Sequence, residues 1–350
     1  MFDIKNLVRA NILVMKPYSS ARDEFKGEAS IFIDANENNL ESLIPNQSFN
    51  RYPDPYQRKL KEKIAPLKKV NPNQIFLGNG SDEAIDLLIR LVCKPGSDEV
   101  LTFSPTYGMY DVSANLNDVV LRQIGLDENF QIKLEKLQGQ IHANTKIIFL
   151  CSPNNPTGNL LDSQSIEYIL KIFNGLVVID EAYIDFAHQP SWINRLNEFP
   201  NLVVMQTFSK AWGLAALRLG MAFASPEIIS FLNKIKPPYN ISAATQQLAL
   251  EALAQSDKLG NLISEINQGR QYLQETLPQL SQVKKVYPSE ANFLLVEVTD
   301  ANKIYAYLLE NGIVVRNRTT QPGCYNCLRL TVGTQTENRK LVQVLAAFSE

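Results

Sequence analysis

Apolar residues fall in short unbroken runs over the first two thirds of the chain, separated by stretches in which they recur every three or four positions. The runs at Gln74–Leu77, Val100–Phe103, Lys146–Cys151, Leu176–Ile179, Leu202–Gln206 and Leu217–Ala224 predict strands, and their continuity predicts strands covered on both faces. Ser81 is placed to cap a helix whose Ile85, Leu88, Ile89 and Val92 share one face. Strand and helix in alternation predict an α/β fold with a mostly parallel sheet. A helix is expected after Asp54-Pro55, stopping near Pro66, and long helices over 242–280. The remaining pattern reads strand Asn292–Val298, helix Ala301–Glu310, strand Gly312–Arg316, strand Leu328–Val332 and helix Glu337–Phe348, a smaller α+β unit. The expected organisation is therefore an N-terminal helical arm (1–35) packing on the small domain, a large α/β domain (36–250) and a small C-terminal α+β domain (251–350).

A length of 350 residues suits two such domains. The formal net charge is −2, which argues against nucleic acid or an anionic membrane as the main partner. The scarce residues narrow the chemistry further. With only His142 and His188, a histidine-rich metal site is nearly excluded and no metal is expected. Both histidines read as surface residues, so an acid–base group is expected among Lys, Asp, Glu or Tyr. Cys324-x-x-Cys327 has no second pair nearby, since Cys93 and Cys151 are isolated, and a zinc or redox role is disfavoured. No stretch is apolar for 18 residues, and the first twenty residues lack a signal-like run, so the expectation is a cytoplasmic protein with no membrane span.

Ligands of open parallel sheets bind beyond the carboxyl ends of the strands. The predicted strands are followed there by Gly78-x-Gly80, by Pro105-Thr-Tyr107, by Ser152-Pro-Asn-Asn155, by Asp180, Glu181 and Tyr183, and by Thr207, Ser209 and Lys210. An amine meeting a carboxylate, phenols, an amide and an anion-binding turn suits carbonyl chemistry through a Schiff base. The anion-binding turn adds a phosphorylated aldehyde to that picture, and pyridoxal 5'-phosphate fits. Gly78-x-Gly80 also admits a dinucleotide-binding reading, but Glu83 stands where a third glycine belongs.

The segments Ser152-Pro-Asn-Asn-Pro-Thr-Gly158, Asp180-Glu-Ala-Tyr183, Ser209-Lys-Ala-Trp-Gly-Leu-Ala-Ala-Leu-Arg-Leu-Gly220 and Asn50-Arg-Tyr-Pro-Asp-Pro55 resemble those of fold type I pyridoxal-phosphate-dependent aminotransferases. Within that superfamily the chain most resembles the histidinol-phosphate aminotransferases. Pro17-Tyr18, Gly78-x-Gly-x-Asp-Glu83, Pro105-Thr-Tyr-Gly-Met-Tyr110 and the spacing of Arg316 to Arg329 carry that likeness. The resemblance implies that Lys210 is the Schiff-base and proton-transfer residue, and that Asp180 pairs with the ring nitrogen. It implies that Asn155 and Tyr183 bond the ring oxygen, and that Tyr107 stacks on the ring. Backbone N–H groups of Ser81 and Asp82 would hold the phosphate, with Ser209, Arg218 and Thr207 beside them and Tyr52 reaching in from a second subunit of a homodimer.

The carboxylates of Asp82 and Glu83 are expected to turn away from that phosphate, since like charges repel. Arg218 reads as a lone arginine buried in an apolar strand, which needs an anionic partner. Arg316 and Arg329, with Tyr18, would grip the phosphate of the substrate; each arginine could instead form a structural ion pair. The implied reaction exchanges an amino group between L-histidinol phosphate and 2-oxoglutarate, yielding imidazole acetol phosphate and L-glutamate in histidine biosynthesis. An alternative is the same fold acting on aromatic amino acids, or decarboxylating a phosphorylated amino acid. The sequence departs from the pattern at Asn39, Ala216 and Trp212, and the bulk of Trp212 beside Lys210 is expected to shape the substrate pocket.

Overall fold

The computed structural model describes residues 2–19, 29–45 and 48–349. Its centre is a seven-stranded sheet in the order β1-β7-β6-β5-β4-β2-β3. The strands are β1 (Ile75–Asn79), β2 (Glu99–Ser104), β3 (Val120–Gly125), β4 (Thr145–Cys151), β5 (Leu176–Asp180), β6 (Leu202–Thr207) and β7 (Leu219–Phe223). Pairs from β3 through β6 are parallel, whereas β7 runs antiparallel to both β6 and β1. Every residue of β2, β5, β6 and β7 is buried, because apolar clusters cover both faces of the sheet.

Helices α1 (Arg58–Lys68), α2 (Gly80–Val92), α3 (Met109–Leu116), α4 (Ser163–Ile172), α5 (Pro226–Ile235) and α6 (Ala243–Leu253) surround this sheet. α1 runs two residues past Pro66 and ends where Lys69 turns left-handed (φ +54°). A proline removes its own N–H donor and leaves the next residues free to follow, so it need not be the last helical residue. α2 carries Ile85, Leu88, Ile89 and Val92 inward. Its N-cap is Asn79 rather than Ser81, because the helix already begins at Gly80, and the Glu83 carboxylate accepts the Asn79 N–H.

α7 (Leu259–Thr276) leads into a second, antiparallel sheet, β10-β11-β9-β8, with β8 (Val283–Val286), β9 (Phe293–Val298), β10 (Arg316–Asn317) and β11 (Cys327–Thr331). α8 (Ala301–Glu310) and α9 (Gln335–Ala346) close its core with Leu294, Val296, Ile304, Leu308, Leu341 and Leu345. Of the strand expected over Gly312–Arg316, only Arg316 is in the sheet, as the first residue of the two-residue β10.

The start of the N-terminal arm does not pack on the small domain as expected. Ile4, Val8 and Ile12 present one apolar stripe to the layer that also holds Leu88, Leu91, Ile228 and Leu232 of α2 and α5. The Arg9 N–H donates to Leu91 O and Lys234 Nζ to Leu13 O, so the arm's polar groups are met there too. Residues 20–28 of the arm lie outside the described residues. Among the described residues, no helix is long and apolar enough to cross a membrane.

Candidate active site

The carboxyl ends of β1, β2, β4, β5 and β6 open on one edge of the large sheet, and a cleft lies there. Its lining includes Ser81, Asp82, Tyr107, Asn155, Asp180, Tyr183, Ser209, Lys210 and Arg218, all singled out from the sequence. The burial of the sheet delivers these groups to a common edge. The strands are apolar along most of their length, so their polar residues collect near the ends, with Thr102 of β2, bonded to Phe149 O, an exception.

At one end of the cleft the backbone is built for close approach. Gly80 opens α2 at φ +71°, and its N–H donates to Arg218 O at 2.6 Å. A Cβ on Gly80 would stand 2.7 Å from Arg218 Nη2, and one on Gly220 would stand 2.2 Å from Ser81 N. The N-terminus of a 13-residue helix, whose first N–H groups have no partner within the helix, thus meets a guanidinium and the Thr207–Ser209 turn. Arg218 does not interrupt a buried strand. It precedes β7 in a left-handed conformation (φ +52°), its side chain is half exposed, and its Nη2 lies 3.3 Å from Asp82 Oδ2. The Asp82 carboxylate therefore lines the cleft instead of turning away. Arg218 and the Tyr107 hydroxyl, which donates to Oδ1 at 3.1 Å, hold it there and offset the like-charge repulsion that the sequence argument considered alone.

Farther in, Asp180 ends β5 almost wholly buried. Burial pushes its carboxyl up to about 6, while bonds from the Tyr110 hydroxyl (2.9 Å) and the Ala182 N–H (3.1 Å) pull the other way. Lys210 lies beside it with Nζ 5.4 Å from the Tyr183 ring centroid. Burial, and then the positive charge of Arg329, lower the lysine below its ordinary value, which enlarges its neutral, proton-accepting fraction. Asn154 locks the loops together: its Nδ2 donates to Pro105 O and Thr157 Oγ1, and its Oδ1 accepts from Thr106. Trp212 does not shape the cleft, for it packs against Phe208 at 5.1 Å in the core behind it.

The small sheet adds arginines. Arg316 and Arg329 are register partners on β10 and β11. Arg329 reaches the cleft, donating Nη1 to Asn155 Oδ1 at 2.5 Å while its guanidinium lies 5.2 Å from the Phe293 ring centroid. Arg316 is exposed. Arg318, the residue just past β10 and half-buried, is a further cation that no local pattern in the sequence marks. Burial comes first in lowering both Arg318 and Arg329; Arg316 lowers Arg318 further, Arg318 and Arg316 lower Arg329 further, and among the described residues the opposing groups are Tyr183 and Cys324 rather than a carboxylate. Among the described residues, the Nε atoms of Arg318 and Arg329 are buried without a hydrogen-bond partner. Partly buried guanidinium groups with donors left over suit an anion.

Tyr18 and Tyr52 do not line the cleft. Tyr18 is exposed, and Tyr52, half exposed, stacks on Tyr239 at 4.5 Å. His142 and His188 are exposed, and Cys324 and Cys327 are buried free thiols pushed by burial to about 11 and about 12.

The pocket fits the phosphorylated aldehyde that the resemblance implies. One end offers a glycine-lined helix N-terminus with Arg218 for a phosphate, the floor a buried carboxylate for a ring nitrogen, the side an aromatic face in Tyr107, and the far end a primary amine.

The aminotransferase class I and II family model matches residues 23–345. The chain is 55% identical over 345 residues to the histidinol-phosphate aminotransferase of Parabacteroides distasonis, covering 99% of each chain. It is 53% identical over 352 residues to that of Christiangramia forsetii, covering 100% of this chain and 98% of the relative. Among solved structures, the histidinol-phosphate aminotransferase from Clostridium acetobutylicum superposes with a TM-score of 0.78 at 25% identity, covering 85% of this chain and 90% of that one. The enzyme from Sinorhizobium meliloti in complex with pyridoxal-5'-phosphate superposes with a TM-score of 0.77 at 24% identity, covering 85% and 82%.

Proposed function

Because the chain belongs to the class I and II aminotransferases, we propose that it binds pyridoxal phosphate in this cleft and exchanges the amino group between L-histidinol phosphate and 2-oxoglutarate. The observation that carries the substrate assignment is the arginine group at the mouth of the cleft. Arg316, Arg318 and Arg329 gather three guanidinium groups where, among the described residues, Arg329 meets one neutral acceptor, Asn155 Oδ1. A doubly charged phosphate on the substrate answers that excess better than a single carboxylate does.

When bound, pyridoxal phosphate supplies a carbonyl that condenses with amines and a ring that draws electrons from the carbon bearing the nitrogen. The remaining work belongs to the chain. Ser81, Asp82, Ser209 and Arg218 would hold the cofactor phosphate, and Asp180 would keep the ring nitrogen protonated. Tyr107 would cover one ring face, with Asn155 and Tyr183 at the ring oxygen. Lys210 Nζ, made less basic by burial and by Arg329, would take the proton from the substrate Cα and return it on the other side of the exchange. Arg329 and its neighbours would hold the substrate phosphate, closing that end of the cleft to water, with Tyr18 covering it from the arm.

The reading extends to a homodimer. Leu13, Val14, Ile31, Ile33, Leu40 and Leu43 expose apolar side chains along the segment that leads to Tyr52. A second copy covering them would place Tyr52 at a partner's phosphate site. A biosynthetic enzyme of this kind is expected to work in the cytoplasm.

Amino transfer from histidinol phosphate to 2-oxoglutarate tests the proposal, with phenylalanine as competing donor. Faster transfer from phenylalanine would assign the cleft to aromatic amino acids. The Lys210→Ala variant should lose turnover by several orders of magnitude and should not be bleached covalently by borohydride; near-normal turnover would overturn the role of Lys210.

A further inference from the structure

We propose that Tyr110 is a positioning residue for Asp180, its buried hydroxyl tying down one carboxylate oxygen so that the carboxylate stays turned to the cleft. The two side chains are 70 positions apart in sequence and meet at 2.9 Å, Tyr110 Oη donating to Asp180 Oδ2. Tyr110 has no exposed surface and Asp180 almost none. The phenol cannot swing away. Its ring stacks on Phe149 at 4.8 Å and 11°, and it meets the edge of Tyr107 at 5.7 Å and 88°. The backbone N–H of Ala182 holds the other oxygen at 3.1 Å. A carboxylate offers about four lone-pair sites, so two fixed donors orient it and still leave capacity for a group in the cleft.

Packing alone does not explain the hydroxyl. A phenylalanine would fill the same space against Phe149, without a polar atom that must find a partner in a dry interior. The phenol is also suited to its neighbour because it stays neutral. Burial, and then the charge of Asp180, push it well above its ordinary value, so it remains a donor throughout the physiological range. The groups facing Asp180 from the surrounding elements are Asp82, Lys210, Tyr107, Tyr183 and Cys151. Of these Asp82 opposes the carboxylate's charge and Lys210 supports it; Tyr110 adds a side-chain hydrogen-bond donor to that set.

The inference rests on Asp180 facing the cofactor's ring nitrogen, and two sets of measurements separate the two ideas. Wild-type protein stripped of cofactor is first titrated with pyridoxal phosphate and reduced with borohydride. Failure to bind and to be labelled at Lys210 removes the cofactor reading itself. The dissociation constant for pyridoxal phosphate is then followed from pH 5 to 9 in wild type, Tyr110→Phe, Asp180→Asn and the double variant. Losing a donor to the charged form raises the carboxyl, so its protonation begins at higher pH on the way down. The acid limb of the affinity profile should move up by about one pH unit in Tyr110→Phe. In the Asp180→Asn background the same change should leave the limb where it is. Incorporating 3-fluorotyrosine at position 110, a stronger donor that keeps the packing, should move the limb the other way. An acid limb of Tyr110→Phe that coincides with wild type, or an equal shift in the Asp180→Asn background, overturns the proposal. So does a fluorotyrosine limb that stays in place, which keeps the test decisive even if the phenylalanine variant folds poorly.

Discussion

Replacing Gly220 by alanine tests whether the anion end of the cleft depends on backbone contact. Gly220 lies on β7 between Gly78 of β1 and Thr207 of β6, and faces the first turn of α2. An added Cβ would stand 2.2 Å from both Gly80 C and Ser81 N and 2.6 Å from Gly80 O. Those are backbone atoms in a strand-to-helix turn that the Gly80–Arg218 hydrogen bond already fixes, so no flexible side chain can yield. Relief requires the turn to recede from β7 by about 1 Å. Overpacking of this kind costs about 1–3 kcal/mol, which in a chain of this length lowers the melting temperature of the cofactor-free protein by a few degrees.

The larger effect falls on cofactor affinity. An N–H displaced by about 1 Å is no longer within bonding distance of a phosphate oxygen, and a charge-assisted bond is worth about 1.5–3 kcal/mol. The dissociation constant for pyridoxal phosphate, read from its absorbance during titration of the stripped protein, should therefore rise about 10- to 100-fold. Gly260→Ala supplies the control. That glycine is inside α7 with open space around its Cβ position, so alanine there should stabilise by about 0.5–1 kcal/mol and leave affinity unchanged. Wild-type affinity and melting temperature in Gly220→Ala would refute the claim that this strand and the phosphate turn are in contact.

Two further perturbations follow from the same geometry. Arg329→Gln should raise KM for histidinol phosphate about 30-fold or more, since it removes a desolvated cation from its anion. Arg318→Gln should act in the same direction but less, and neither should change KM for unphosphorylated histidinol; equal effects on both substrates would show that the arginines serve structure instead. The second concerns pH. Burial raises Glu181 to about 7 and Asp180 to about 6, so between roughly pH 4 and 7 the folded state binds more protons than the unfolded chain. Stability of the cofactor-free protein should fall as pH rises through that window, each group contributing up to about 1.4 kcal/mol per unit. Glu181→Gln should flatten the profile, because an amide does not titrate; Gln206, whose Oε1 is buried without a partner among the described residues, can turn that oxygen to the new amide. Denaturant titrations at pH 5 and pH 8 that give the variant the wild-type slope would contradict this.

What could be read from the sequence was decided by locality. The apolar runs ending at Cys151, Asp180 and Thr207 announce buried strands, whose polar groups collect near their ends, so the cleft-lining set is legible as a list. Its internal arrangement was not, because each error concerns a partner remote in sequence. Asp82 was expected to turn away because only a phosphate was weighed against it; Arg218, 136 positions on, reverses the sign. Arg218 looked like a buried strand residue because apolar neighbours flank it. Gly220 brings β7 against the α2 turn, and the chain before it leaves the strand through a left-handed residue into solvent. Ile4, Val8 and Ile12 form a stripe whose spacing predicts a helix-like face but not which of two cores receives it. Tyr110 is the extreme case. At the second position of α3 it has the pattern of a core aromatic, and it is one, but its hydroxyl meets Asp180, 70 positions on, at the end of β5. A one-dimensional pattern fixes which side of an element is buried; it carries no information about which buried polar atom lies opposite. The residues that tune the site rather than form it are therefore the ones to seek in the structure, wherever a buried polar atom sits on an otherwise apolar face.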